Sequence, residues 1–268
     1  MTEIIDKAIG IFDSGIGGLT VLKEIIRRLP QEDTVYLGDT ARVPYGTKSP
    51  ETVTKYSFKN TSFLLKQEIK LLVVACNTVS AISLDEIRKN FPLPVIGVLE
   101  PGARAAATAT RTKRIGVIGT ETTIGSGAYP DAIKRQGPEI EVIGLPCPLF
   151  VPLVEEGWVD NDVASLAAER YLGSLKKEKI DTLVLGCTHY PLLTGIIKEV
   201  MGDGVLLIDS AQETAKEVEE VLSEKGLLRI THGRGRHRYF VTDAPKRFRS
   251  LGERFLGFPI GNVEKIDI

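Results

Sequence analysis

The sequence predicts an α/β fold of two pseudo-symmetric parallel-sheet domains, with a candidate active site in the crevice between them. Three observations carry this. Short β-branched or leucine-rich runs alternate with longer segments of helical period, the pattern of strands joined by crossover helices. Two strand-plus-turn units recur: Leu71-Leu72-Val73-Val74-Ala75-Cys76-Asn77-Thr78 parallels Thr182-Leu183-Val184-Leu185-Gly186-Cys187-Thr188-His189, with the cysteines 111 positions apart. Arg114-Ile115-Gly116-Val117-Ile118-Gly119-Thr120 echoes Ala8-Ile9-Gly10-Ile11-Phe12-Asp13-Ser14 at an offset of 106, and Val95–Val98 and Val205–Ile208 differ by 110. Matches at nearly one offset argue for two similar halves.

In chain order the expected strands are Ala8–Phe12, Thr34–Leu37, Leu71–Ala75, Val95–Val98, Ile115–Ile118, Glu141–Leu145, Thr182–Leu185 and Val205–Ile208. The segments between them with helical spacing are Leu19–Leu29, Pro50–Gln67, Ser80–Lys89, Ile124–Arg135, Asp160–Leu175, Leu192–Met201 and Gln212–Lys225. Pro92, Pro94, Pro101, Pro138 and Gly204 punctuate the joins. A boundary falls near Leu99–Pro101, with a matching crossing near Asp209. Returning the tail to the first half places each half's last helix beside its counterpart, so residues 1–98 and 208–268 form the first domain and 99–207 the second.

Composition narrows the function classes. With 268 residues, 43% of them hydrophobic, the chain has ample core for one or two domains. A net charge of −1 argues against a global grip on nucleic acid. The first residues carry mixed charge and no apolar run approaches the roughly 20 residues of a spanning helix, so a soluble cytoplasmic protein without membrane contact is expected. Three cysteines, an odd number in a chain of this length, fit a reducing compartment.

Cys76 and Cys187 each end a hydrophobic strand and precede small polar residues and a helix. In open α/β sheets, ligands bind in the crevice beyond such strand ends. Helix-start amides there favour an anionic group such as a carboxylate, and Asn77, Thr78 and Thr188 add side-chain donors. A cysteine is most often a small buried hydrophobe, but duplication in one slot with polar followers points to function. Cys147, between Pro146 and Pro148, has no polar neighbours and reads as structural. No CxxC occurs, and Cys187-Thr188-His189 lacks zinc-motif spacing, so no metal is expected. A lone Cys-His nucleophile with His189 as base leaves the second cysteine unexplained.

Other segments converge on the same crevice. Asp13-Ser14-Gly15-Ile16-Gly17-Gly18 follows the first strand but lacks the spacing of a nucleotide-binding GxGxxG. A tight turn accounts for its glycines, not for Asp13 and Ser14, which would face the cysteines. The loop Asp39–Thr47, holding Pro44, Tyr45 and Gly46, can close over a ligand and offer the Tyr45 and Gly46 amides to an anion. Glu155 or Glu156 can approach the second cysteine. The basic stretch Arg229–Arg249 is expected to pair with the acidic helix bearing Glu213, Glu217, Glu219, Glu220 and Glu224.

Together these segments resemble the glutamate racemase family. The matching stretches are Phe12-Asp13-Ser14-Gly15-Ile16-Gly17-Gly18, Gly38-Asp39-Thr40-Ala41-Arg42-Val43-Pro44-Tyr45-Gly46, Ala75-Cys76-Asn77-Thr78 and Gly186-Cys187-Thr188-His189-Tyr190-Pro191, in family order across nearly the whole chain. The resemblance implies interconversion of L- and D-glutamate without a cofactor, for peptidoglycan, by an enzyme that often forms a homodimer. It implies that Cys76 deprotonates D-glutamate and Cys187 L-glutamate, Asp13 assisting the first and Glu155 and His189 the second. The substrate cage would comprise Asp13, Ser14, Pro44, Tyr45, Gly46, Asn77, Thr78, Thr188 and His189, with Thr120 and Thr123 from the strand end matching Asp13-Ser14. Activation by a nucleotide precursor, which goes with an extended amino-terminal segment, is not expected.

Overall fold

The computed structural model describes residues 2–230 and 233–268; residues 231 and 232 of the basic stretch lie outside these. After a short α1 (Thr2–Ile5), the chain forms β1 (Ala8–Asp13), α2 (Leu19–Arg28), β2 (Thr34–Gly38), α3 (Pro50–Leu65), β3 (Ile69–Val74), α4 (Asn77–Ile82), α5 (Leu84–Asn90) and β4 (Val95–Gly97). Helix α6 (Leu99–Ala109) leads to β5 (Arg114–Gly119), α7 (Glu121–Gly125), α8 (Ala128–Lys134), β6 (Glu141–Pro146) and α9 (Phe150–Glu156). Then come α10 (Asp162–Lys177), β7 (Thr182–Gly186), α11 (Thr194–Met201) and β8 (Leu206–Asp209). Helix α12 (Ser210–Glu224) leads to β9 (His237–Val241), α13 (Pro245–Leu256) and β10 (Val263–Lys265).

The strands build two all-parallel sheets, ordered β10-β9-β2-β1-β3-β4 and β6-β5-β7-β8. Without β9 and β10, both read second, first, third, fourth. The register repeats too: Gly10 lies opposite Leu72 in one sheet and Gly116 opposite Leu183 in the other. These are the same pairs that the offsets of 106 and 111 relate. The duplicated runs are therefore the inner strands of two like-wound domains. In this winding the ligand crevice lies at the carboxyl ends of the first and third strands, where the strand order reverses.

Burial follows from period. Ile9 and Ile11 of β1 face α2 and α12, whereas Ala8 and Phe12 face the side covered by α3, so both faces are apolar and buried. Helix α2 buries Leu19, Val21, Leu22 and Ile25 along one stripe and ends in Arg27 and Arg28, the charge its carboxyl terminus favours. Helix α3 starts where Ser49 accepts the Thr52 amide, with Pro50 in the first helical position. Helices α6 and α12, which follow the fourth strand of each domain, pack on each other, and α12 also packs on α2. No helix among the described residues is long and apolar enough to cross a membrane.

Several elements differ from expectation. The helix expected over Ser80–Lys89 begins at Asn77 and divides at Ser83. Pro101 does not break the chain but sits in the first turn of α6, where an amide has no intrahelical acceptor. The basic stretch contains an edge-side strand, β9, and the start of α13, Pro245–Arg249. Among the described residues its charges do not pair with the acidic helix: Arg229 and Arg236 bond Asp33, Arg247 approaches Glu155 and Glu156, and Arg249 approaches Glu253. The α12 carboxylates instead meet Arg28 through Glu219 and Arg104 through Glu217.

Candidate active site

The carboxyl ends of the two sheets enclose a cavity of about 420 Å³, within the usual size of small-molecule sites. Asp13, Ser14, Pro44, Tyr45, Gly46, Cys76, Asn77, Thr78, Thr120, Glu155, Cys187, Thr188 and His189 all line it. Of the site residues read from sequence, only Thr123 is absent from the wall. Its hydroxyl lies behind, bonded to Thr78 Oγ1 at 3.2 Å and Thr120 Oγ1 at 2.9 Å. Because Thr120 caps α7, the side chain three residues on turns back onto the cap and supports Thr78 and Thr120.

The wall also includes Val43 and Thr47 of the loop expected to close over a ligand, and Glu121, Pro148, Val151 and Pro152, which the sequence reading passed over. The last three belong to the β6 strand end and α9. That strand is the counterpart of β2, whose following loop holds Tyr45, so the repeat itself could have located them.

The two thiols occupy equivalent strand ends with different neighbours. Cys76 precedes the first residue of α4, and its Sγ donates to Ser14 Oγ at 3.5 Å. Burial, and then the Asp13 carboxylate, push this thiol up to about 12, against the pull of Ser14 and the Val79 amide. Asp13 is itself 1% exposed and accepts the Gly15 amide at 3.0 Å; burial raises its pKa, opposed by His189.

Cys187 Sγ lies 3.8 Å from His189 Nδ1, and His189 Nε2 lies 3.2 Å from Glu155 Oε1. Burial alone would discharge the imidazole, but hydrogen bonds to Cys187 and Glu155 outweigh it and raise His189 to about 10. The bond from His189 in turn lowers Glu155. The ring packs edge-on against Phe255 of α13. Cys187 thus faces an imidazole, Cys76 a buried carboxyl. Cys147 lies at 0% exposure in the core, its Sγ directed to the Leu145 carbonyl.

Other groups shape the cage. The Tyr45 hydroxyl donates to Asp39 and accepts from Asn60 Nδ2, so its main chain, the start of a 3-10 turn, is what it offers a ligand. The glycines after β1 are set by close approach, not by turn conformation: a Cβ on Gly17 would stand 2.4 Å from both His189 Nδ1 and Thr188 Oγ1. The domains also reach across reciprocally. Thr20 of α2 donates to the Thr188 carbonyl at 3.0 Å, and Tyr129 of α8 donates to Asn77 Oδ1 at 2.7 Å.

Comparison with known proteins finds relatives of the chain in sequence and in structure. The model of the family described as Asp/Glu/Hydantoin racemase matches residues 9–218. A glutamate racemase from Geobacter metallireducens is 61% identical over 262 residues, covering 98% of this chain and 97% of that one. The crystal structure of a glutamate racemase isoform from Bacillus anthracis superposes with a TM-score of 0.95 at 43% identity, covering 98% of each chain. The glutamate racemase from Francisella tularensis in complex with D-glutamate gives 0.92 at 40% identity, again over 98% of each. Matched over nearly its whole length in sequence and in structure, the chain belongs to the Asp/Glu/hydantoin racemase family, among its glutamate racemases.

Proposed function

We propose that this protein interconverts L- and D-glutamate by a two-base reaction in which Cys76 and Cys187 work from opposite faces of the substrate. The observation that carries the proposal is the pair of cysteines at equivalent strand ends of one cavity, Cys76 near Asp13 and Cys187 beside His189. Racemisation removes the α-proton from one face and returns a proton to the other, so one thiol must begin as thiolate and the other as thiol. For L-glutamate, Cys187 takes the proton beside the His189 cation while Cys76 delivers its own; for D-glutamate the roles reverse, with Asp13 beside Cys76. The α-proton is weakly acidic, so charge building on the α-carboxylate needs donors in place. Ser14, Asn77, Thr78, Thr188 and the Tyr45–Gly46 main chain supply them.

The product serves peptidoglycan, and the homodimer that the family resemblance implies belongs to the same proposal. Both thiols must stay reduced, which places the reaction in a reducing cytoplasm. We also take residues 1–98 with 208–268, and 99–207, as the two domains; the strand membership of the sheets supports this division except at Ile208 and Asp209, which end β8 in the second sheet.

The test is incubation of pure L- or D-glutamate in deuterium oxide, following optical activity by circular dichroism and Cα deuteration by mass spectrometry. Wild type racemises both enantiomers with deuterium incorporation, and Cys147→Ala keeps its rate. Cys76→Ala and Cys187→Ala, folded, do not racemise. Near wild-type racemisation by either single variant overturns the two-cysteine mechanism, and turnover of aspartate in preference to glutamate overturns the substrate.

A further inference from the structure

We infer that Tyr129 is a positioning residue, which fixes the Asn77 side-chain amide from the opposite domain so that its NH₂ serves as a donor to a substrate carboxylate. The inference rests on the reading of this cavity as a glutamate site. Tyr129 Oη donates to Asn77 Oδ1 at 2.7 Å, and the two residues are 1% and 3% exposed. Asn77 Nδ2, on a residue that lines the cavity, is buried and bonds no group among the described residues. A buried donor of this kind needs an explanation. A carboxylate on the cavity side provides one, because a carboxylate accepts and never donates.

A primary amide can present oxygen or nitrogen to the same point with almost no change in shape. An amide turned oxygen-first would repel a carboxylate. With nitrogen toward the ligand, Oδ1 must find a donor on the protein side, and the Tyr129 hydroxyl is that donor. Burial raises the Tyr129 pKa and keeps the hydroxyl protonated. The bond also polarises the amide, strengthening the N–H toward the ligand.

Tyr129 is held by the strand end that carries the other thiol. A Cβ on Gly186, the residue before Cys187, would stand 3.0 Å from Tyr129 Cε2, so the bare glycine leaves room for the ring. The reciprocal bond supports a positioning role. Thr20, on the helix after the first strand of the other domain, bonds the residue after Cys187, as Tyr129 bonds the residue after Cys76. There the acceptor is a main-chain carbonyl, which leaves the Thr188 side chain to the cavity; here it is the side chain itself.

The test is a double-mutant cycle on initial rates in both directions with the full chain: wild type, Tyr129→Phe, Asn77→Ala and the double variant, with thermal midpoints alongside. Tyr129→Phe keeps the ring and is expected to lower kcat/KM roughly five- to tenfold, the size of one hydrogen bond, with KM rising. The double variant is expected to be no worse than Asn77→Ala alone. Independent, multiplicative losses overturn the inference, as does an unchanged kcat/KM in folded Tyr129→Phe. A second arm does not depend on the tyrosine variant folding: Asn77→Asp, which faces the ligand with an acceptor, should lose more than Asn77→Ala, and an equal or smaller loss overturns the inference. Wild type that does not act on glutamate at all overturns the functional reading instead, so the two failures are distinct.

Discussion

The close approach of Gly17 to His189 gives a sharp test, because the substitution lies outside the residues that touch the thiols. In Gly17→Ala the new methyl would sit 2.4 Å from His189 Nδ1, 2.4 Å from Thr188 Oγ1 and 2.6 Å from His189 Cε1. Non-bonded heavy atoms settle at about 3.5 Å, so the imidazole or the Gly-rich turn must retreat by about 1 Å. The ring has little freedom to do so: Phe255 packs against it at 5.5 Å between centroids, and Glu155 holds Nε2 at 3.2 Å. The same Nδ1 stands 3.8 Å from Cys187 Sγ, so retreat opens that contact. A misplacement of this size costs about 100-fold in rate, or about 2.7 kcal/mol in barrier, with about 1 to 3 kcal/mol of stability lost to overpacking. Initial rates by circular dichroism on each enantiomer measure it. Enantiomers have equal free energy in water, so kcat/KM must fall by the same factor in both directions. Gly173→Ala is the control: its Cβ meets nothing within 4 Å on α10, and it should add about 0.5 to 1 kcal/mol of stability at unchanged rate. A folded Gly17→Ala enzyme with wild-type kcat/KM refutes the reasoning.

Two further substitutions probe the fold away from the site. Lys70 Nζ lies 2.6 Å from Glu32 Oε2 and donates to the carbonyls of Ile5 and Leu227, with both side chains at or below 1% exposure. Lys70→Met strands the Glu32 charge and should cost about 3 to 5 kcal/mol in urea unfolding, much of it recovered by adding Glu32→Gln; a loss under about 1 kcal/mol would show the pair to be dispensable. Asp209 caps α12 through the Ala211 amide at 2.8 Å, and burial, with Glu24 and Glu213 adding to it, pushes its pKa from 3.8 up to about 6. The folded chain holds this proton more tightly than the unfolded one, so stability from this group is present below 3.8 and lost as pH rises through about 6. Asp209→Asn keeps a good cap and should gain about 1 to 2 kcal/mol at about pH 8, with the gain fading near about pH 4. An equal gain at both pH values contradicts the assignment.

The sequence makes the inner strands legible because β1, β3, β5 and β7, largely buried, are continuous apolar runs, and the repeat matched strands of one half to strands of the other. It left β9 and β10 unread: His237 and Arg238 open β9 with polar side chains, and β10 ends in Glu264 and Lys265 at the sheet edge. Their β character lies in pairing, β9 with β2 and β10 with β9, which sequence pattern does not carry. The site was legible where chemistry recurs at strand ends. What was not legible depends on contacts across the domains: Gly17 against His189, Tyr129 on Asn77 and Thr123 on Thr78. A local reading of the Gly-rich turn sees only conformation, while the actual demand on Gly17 comes from a residue 172 positions later.

The repeat also explains how two equivalent thiols acquire unequal chemistry. Carried by the offsets of 106 and 111, Asp13 corresponds to Gly119 and Thr78 to His189. The first domain places its ionisable group at the end of its first strand; the second leaves that slot bare and places an imidazole two residues after its cysteine. With no carboxyl in the Gly119 slot, Glu155 from α9 reaches His189 instead, and Arg247 of α13 stands 3.9 Å from that carboxylate. The consequence under the proposed mechanism is a proton ledger that starts uneven. Burial and Asp13 push Cys76 up to about 12, while Cys187 stands beside His189, which its hydrogen bonds raise to about 10. Under the proposed mechanism L-glutamate needs Cys187 as thiolate and Cys76 as thiol, whereas D-glutamate needs Cys187 protonated and the proton on Cys76 to leave first. Asp13, raised by burial and beside that thiol, is placed to accept it. Equal kcat/KM in the two directions is imposed by the equal energies of the enantiomers, but nothing imposes equal kcat. The uneven environments of the two thiols are where any difference between the two saturated rates must originate.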